Sequence, residues 1–383
     1  MSALTGKPIP MASGSDSADA RRERPQVEWL HDLASDQVLQ GVAESAGPDI
    51  FHTLQWFRHL HDHGMHRGEG LLIARVTHPA EGGFLLPLQW CRGGKASVFG
   101  RSITGLSNYY SSLFGPIGDP TACTPAAGRE LARSLRREVA DSAVIDLHPL
   151  DADGSFLHCL RQGLSSEGYF VDTYFCFGNW YLPVEGRSWV DIELGIPSRQ
   201  RNTIKRARKK LAESGAWTLQ IHQSPGPDLE RAIEDYQTIY LRSWKKPEPF
   251  PDFVPGLCRW TAECGWLRLG VVRVGETPVA AQIWFVRQRK ALIFKLAYDE
   301  DFRRLSAGSV LTAELMQHVV DVDRANEVDY LTGDDAYKAD WMTHRRERVG
   351  LLAFRSFRPG GFAGAVKHGL GLLRTSIQRN RSS

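Results

Sequence analysis

The chain has 383 residues, a formal net charge of +3 at pH 7, 24% charged residues and 42% hydrophobic ones. That length suits two domains better than one core, and the near balance of charge argues against a protein that coats nucleic acid. The six cysteines, Cys91, Cys123, Cys159, Cys176, Cys258 and Cys264, lie scattered without a CxxC pair. This fits reduced, buried thiols in a cytosol, not a disulfide framework or a zinc site.

Residues 1–25 are rich in Ser, Ala and charge and read as a disordered tail without an export signal. No apolar run reaches the ~20 residues that span a bilayer. An N-terminal domain is expected over 26–180. FHTLQWFRHLHDHG predicts a helix with Phe51 and Trp56 inward and Gly64 as its stop. His59 and His63 share a face there, beside His61 and His66, but no third ligand accompanies them, so no metal is expected. LLIARV and GFLLPLQW read as a hairpin joined at 78–83. Residues 98–118, with Tyr109 and Tyr110, form either a substrate-facing loop or a connection packed by its own aromatics. A helix at 125–140, the strand AVIDLHPL, a helix at 155–165 and the strand YFVDTYFCF make this half α/β.

A C-terminal domain is expected over 181–358. RQRNTIKRARKK carries seven basic residues and no acid. As a helix it buries Ile204, Ala207 and Leu211 and presents Arg201, Lys205, Arg208 and Lys209 as a basic face for an anionic partner. The next helix, 228–244, stops at Trp244 and KKPEPFPDF, whose three prolines make a stiff lip suited to an acceptor pocket. A helix at 252–264 and the strand WLRLGVVRV follow, and then PVAAQIWFV and ALIFKLAY, joined at 287–290. Gln282, Trp284, Lys295 and Tyr298 interrupt these apolar runs and are candidates to face a site.

ALIFKLAY, the loop DEDFRRLSAGS, a helix carrying Leu311, Leu315, His318, Val319 and Val322 on one face, and EVDYLTGDD make a βαβ unit with parallel strands. Both post-strand loops then reach the same sheet edge. The first brings Arg303, Arg304 and a helix N-terminus at 306–309, where free N–H groups and the dipole favour phosphate. The second brings Asp334, Asp335, Tyr337 and Lys338. An anion cradle beside acid and base groups suits transfer from a phosphate-bearing donor. Beyond Arg348 no acidic residue occurs. A glycine-weakened amphipathic helix at 359–383, with Phe362, Val366, Leu370, Leu373 and Ile377 on one face, needs a surface: the protein itself, an anionic membrane or a partner.

This order of strand, Arg/Ser/Gly loop, helix and strand–GDD–x–YK–x–x–W resembles the GNAT fold. More narrowly, it resembles the FemAB-like acyltransferases of the CelD/BcsL type, associated with cellulose and exopolysaccharide production. Tyr298, Asp299, Ser306, Gly308, Gly333, Asp334, Asp335, Tyr337, Lys338 and Trp341 carry the likeness, which extends from about Asp191 to Phe354. One departure is that Arg304 stands four residues before Gly308, where the common pyrophosphate loop has Arg or Gln three before its first Gly.

The resemblance implies tandem GNAT-like domains, the first degenerate, with mixed sheets flanked by helices. It implies acetyl-CoA or another acyl-CoA as co-substrate, cradled by Arg303, Arg304, Ser306, Gly308 and Ser309, and no metal. Asp335 or Asp334 would be the base, each raising the other's pKa, and Tyr337 would return a proton to the leaving thiolate. Lys338, Gln282, Lys295, Tyr298 and Trp244 would serve the acceptor: an amine or hydroxyl of a sugar, exopolysaccharide or envelope precursor. Two alternatives stand beside this. One is a Fem-like transferase using aminoacyl-tRNA, although the long helical arm usual there is not seen; the other is a non-catalytic subunit of an envelope-polymer synthase, held through the C-terminal helix. The expected location is cytoplasmic, at the inner membrane face if that helix anchors it.

Overall fold

The computed structural model describes residues 24–34, 38–43, 47, 49–65, 70–91, 101–139 and 142–355. His66, the C-terminal helix expected at 359–383 and nearly all of the expected tail lie outside the described residues. In the N-terminal half, strands β1 (Gln26–Leu30), β2 (Gly70–His78), β3 (Gly82–Cys91), β4 (Arg101–Gly105), β5 (Ile117–Gly118), β6 (Ser142–Asp151) and β7 (Tyr169–Pro183) alternate with helices α1 (Leu54–Gly64), α2 (Pro125–Glu138) and α3 (Ser155–Ser166). The C-terminal half holds helices α4 (Trp189–Gly195), α5 (Ser198–Glu213), α6 (Pro227–Leu241), α7 (Phe253–Glu263) and α8 (Ala307–Gln317). Its strands are β8 (Trp217–His222), β9 (Leu267–Val274), β10 (Thr277–Arg287), β11 (Lys290–Tyr298), β12 (Glu327–Asp329) and β13 (His344–Arg355).

All these strands join one mixed sheet in the order β1-β2-β3-β4-β6-β13-β7-β12-β11-β10-β9-β8, with β5 against β3. The same plan occurs twice. In each half three antiparallel strands (β2-β3-β4, then β9-β10-β11) are followed by a helix and a strand parallel to the third, β6 beside β4 and β12 beside β11. The long strand β7 runs through residue 180, so the boundary expected there falls inside a strand. The C-terminal strand β13 crosses back to lie between β6 and β7.

The continuous apolar runs of β10 and β11 follow from helices covering both sheet faces, which leaves no polar side to alternate with. Ile283 and Phe285 point into one core with residues of α1, α6 and α7, while Trp284 and Val286 point into another with α4, α5 and α8. The first core spans both halves: Trp56 of α1 meets Phe253 of α7 edge to face at 5.8 Å. His59, a candidate metal residue from its spacing, instead sits in that core and donates from Nε2 to the Phe253 carbonyl at 2.8 Å. Burial brings its pKa down to about 4. Among the described residues no group of three metal-ligating side chains occurs, and no helix is long and apolar enough to cross a membrane.

Three expectations are corrected. Cys123 and Cys159 are joined in a disulfide, with Cα atoms 6.0 Å apart, because α2 and α3 pack side by side and bring distant positions together. EVDYLTGDD is not one strand: β12 stops at Asp329, since Leu331 turns into the left-handed region at φ 53°. Val322 is 65% exposed, because α8 gives way to a π-helical turn at His318–Val322 that rotates it off the apolar face.

Candidate acyl-transfer site

The site lies where the sheet parts. β11 and β12 pair in parallel only from Lys290 to Leu292, against Glu327 to Asp329. Beyond this, Phe294 is the extra residue of a bulge on β11, opposite the Ile283–Trp284 step of β10. A bulge bends its strand and resets the side-chain alternation, and here it accompanies Lys295 facing the Tyr109–Tyr110 side. On the other side, the loop after β12 is held by buried charge. Asp329 accepts from the Leu331 N–H at 2.7 Å and from Asn179 at 2.6 Å, while Asn179 also donates to the Leu331 carbonyl. Burial works to raise the Asp329 pKa, but Lys290 and Arg346 beside it hold it below the usual carboxylate range. A left-handed leucine costs about 1–3 kcal/mol, and this network fixes it.

Two clefts occupy the gap. The first, about 490 Å³, is lined by Arg303, Ser306, Ala307, Gly308, Ser309 and Gln200 on one side and by Tyr298, Leu296 and Trp341 among others. The second, about 330 Å³, takes in Tyr109, Tyr110, Lys245, Lys295, Asp335 and Lys338. Trp244, Leu296, Tyr330 and Tyr337 line both.

The first cleft is built around the start of α8. Ser306, with φ 53°, is its N-cap and makes no side-chain capping bond. The leading N–H groups of a helix have no intrahelical acceptor, so those of Ala307 and Gly308, which line the cleft, are donors for an anion. Arg303 is exposed on the rim, its nearest acid being Glu300 at 3.8 Å. Gln282 lies beneath the helix start, where Nε2 donates to the Gly308 carbonyl (3.1 Å) and Thr312 Oγ1 (2.8 Å), and Oε1 accepts from Trp284 (2.9 Å). Its polar atoms are engaged in docking α8 on β10, which makes it a positioning residue. Arg304 is not in the lining; its carbonyl accepts from Lys210 of α5 at 2.9 Å. The counterpart helix of the N-terminal half, α2, starts differently: Pro125 has no N–H to offer, and Thr124 caps the helix by accepting from the Ala127 N–H.

Of the acidic pair, only Asp335 reaches a cleft. Its carboxylate is mostly exposed and lies 3.4 Å from Lys338 Nζ. Asp334 turns away and accepts from Arg345 at 2.8 and 3.1 Å and from Trp180 Nε1 at 2.7 Å. Those hydrogen bonds hold its carboxyl below the usual range, contrary to the expectation that the two carboxylates raise one another. Tyr337 sits on the shared rim with its phenol pushed up to about 12, by burial and then by the charge of Asp335. It therefore stays protonated at neutral pH and is suited to give a proton. Lys338 is buried, and its ammonium donates to the carbonyls of Tyr330, Thr332 and Gly333. It braces the loop and does not reach for a ligand. Gly333, at φ 103°, supplies the turn that brings those carbonyls round.

Tyr298 and Trp244 pack with their rings tilted, centroids 4.5 Å apart, as one wall of the first cleft. Lys295 pairs with Glu248 at 2.9 Å, and Glu248 also accepts from the Tyr110 hydroxyl at 2.6 Å. The proline-rich lip is thereby pinned to both halves. Sequence reasoning missed Lys245, Glu248 and Tyr330 at the site. The lip itself was readable from its prolines, but which of its side chains turn inward was not.

Residues 198–339 match the family described as acetyltransferase (GNAT) domain. No curated protein matches the chain. Among solved structures, FemX is similar over 86% of this chain and 97% of its own, at 12% identity and a TM-score of 0.57. A conserved protein of unknown function from Bacteroides thetaiotaomicron VPI-5482 is similar over 86% of this chain and 100% of its own, at 10% identity and a TM-score of 0.52. The chain therefore has a FemAB-like GNAT fold, with an acetyltransferase (GNAT) domain in its C-terminal half.

Proposed function

We propose that this chain is an acyltransferase that moves an acetyl or longer acyl group from acyl-CoA to an amine or hydroxyl of a sugar, exopolysaccharide or cell-envelope precursor, as in the CelD/BcsL type. The observation that carries the reading is the pair of clefts meeting at Trp244, Leu296, Tyr330 and Tyr337, one with an open helix N-terminus and the other with Asp335. The pyrophosphate of the donor lies on the N–H groups of Ala307 and Gly308, with Arg303 at the rim. The acceptor enters the second cleft, Asp335 removes its proton, and attack on the thioester carbonyl expels the thiolate, which Tyr337 protonates.

A second reading uses aminoacyl-tRNA as donor. It is favoured by the exposed Lys205 and Lys209 on α5, next to a shallow depression lined by Arg201 and Lys205. Calorimetry with acetyl-CoA, longer acyl-CoAs and tRNA separates the two. Acyl-CoA binding supports the first reading; tight tRNA binding with no heat from any CoA thioester replaces it with the second.

A further inference from the structure

The second cleft has a charge imbalance. Three ammonium groups line it: Lys245, Lys295 and Lys338. Glu248 neutralises Lys295 at 2.9 Å, and Asp335, at 3.4 Å, stands beside Lys338. Lys245 has no hydrogen bond or ion pair from its ammonium to any described residue. The ammonium lies over ring faces, 5.6 Å from the Trp244 centroid and 5.7 Å from that of Tyr240, and it feels Lys295, Lys338 and the opposite charge of Asp335. The cleft is thus left with about one uncompensated positive charge, in a place where burial and the nearby lysines press on it. Beside it stand two large aromatic surfaces open to solvent, Tyr109 at 51% and Trp244 at 53% exposure. Tyr109 is backed by Tyr110 at 4.0 Å, and Trp244 by Tyr298. Two rigid, supported rings facing a cleft form a platform for a flat, partly apolar body such as a sugar ring.

We propose that the second cleft recognises an anionic sugar, whose carboxylate or phosphate is held by Lys245 while its ring lies against Tyr109 and Trp244. Calling this ligand the acceptor rests on the transferase reading above, whereas the anion site itself stands on the cleft alone. A neutral sugar can accept a hydrogen bond from Lys245 but brings no charge to balance it. An oxyanion supplies the missing charge with a charge-assisted hydrogen bond.

The test uses the full chain and calorimetry with three probes: glucuronate, glucose 1-phosphate and glucose. At least one anionic probe is expected to bind about tenfold or more tighter than glucose, the effect of one hydrogen bond to a charged group. Comparison of the two anions tells carboxylate from phosphate. Lys245→Met is expected to bring the anion down to the affinity of glucose, and Lys245→Arg to keep most of it, with acyl-CoA binding unchanged in both as the check on folding. Equal binding of glucose and the anions, no heat from either anion at millimolar concentration, or an unaffected Lys245→Met overturns the proposal. So does displacement of the anion by free coenzyme A, which assigns Lys245 to the donor. A chain that binds the anion through Lys245 but no acyl-CoA keeps this site and loses the acyl-CoA reading; the opposite pattern loses the site alone.

Discussion

Gly308→Ala separates stability from donor binding at one atom. A Cβ built on Gly308 meets nothing within 4 Å, the residue is helical, and it lines the first cleft. Within the folded protein the methyl group therefore costs nothing in packing. It should recover part of the 0.5–1 kcal/mol or so by which glycine weakens a helix relative to alanine. In the cleft, the same methyl stands where a phosphate must approach the amides of Ala307 and Gly308. Losing one charge-assisted hydrogen bond there costs about 1.5–3 kcal/mol, or roughly ten- to a hundredfold in affinity. Urea unfolding should show a variant as stable as the parent or slightly more so, and calorimetry should show weaker acetyl-CoA binding by that factor. A stabilised variant that binds acetyl-CoA as the parent does would show that the phosphates do not lie on α8. A destabilised variant would mean that the space beside Gly308 is not open.

Asp335→Asn should lower turnover by about a hundredfold or more, the scale of general-base help, with donor affinity unchanged. Asp334→Asn, at a carboxylate that hydrogen-bonds Arg345 and Trp180 outside the cleft, should cost far less; equal losses would end the distinction drawn between them. Tyr337→Phe should lower turnover by about a hundredfold without altering the alkaline limb of the pH–rate profile, because a phenol near 12 does not titrate in the working range. Loss of that limb in the variant would show that the hydroxyl ionises and is not the proton donor. Lys245, brought down from 10.5 to about 8, mainly by burial and then by Lys295 and Lys338, binds its proton less tightly folded than unfolded. Between those two values the unfolded chain carries more protons, so this group makes stability rise with pH across the window, whereas below it the penalty is fully present. Urea unfolding on either side of the window should show a smaller rise in Lys245→Met than in the parent, and identical profiles would contradict the burial of its charge.

The parts of the fold that sequence disclosed were those written in local periodicity. The β10–β11 hairpin lay where its strand signals stopped, with Gln288 and Arg289 at positive φ in the turn. The apolar stripe Ile204, Ala207 and Leu211 is buried as its spacing required. The start of α8 and the turn bearing Asp335 came from the same local reading. What stayed hidden depends on contacts between remote residues. Glu248 joins Tyr110, 138 residues away, to Lys295, 47 away, and the disulfide spans 36 positions. That Asp334 turns away while Asp335 lines the cleft depends on Arg345, which belongs to β13 and left no local trace. The internal repeat was invisible for a different reason. It resides in strand order and direction, which many side-chain patterns satisfy.

The placement of β13 bears on how the molecule is made. Without that strand the sheet separates into two, one ending at β6 and the other at β7, because β13 alone joins them. A nascent chain therefore carries two bare strand edges until residues 344–355 have left the ribosome. Such edges are templates for pairing with other chains, and pairing partners so far apart in sequence make closure slow. Chains interrupted before His344 are then the species most prone to aggregate, and chaperone dependence during synthesis should concentrate on the interval between the emergence of β7 and the arrival of β13.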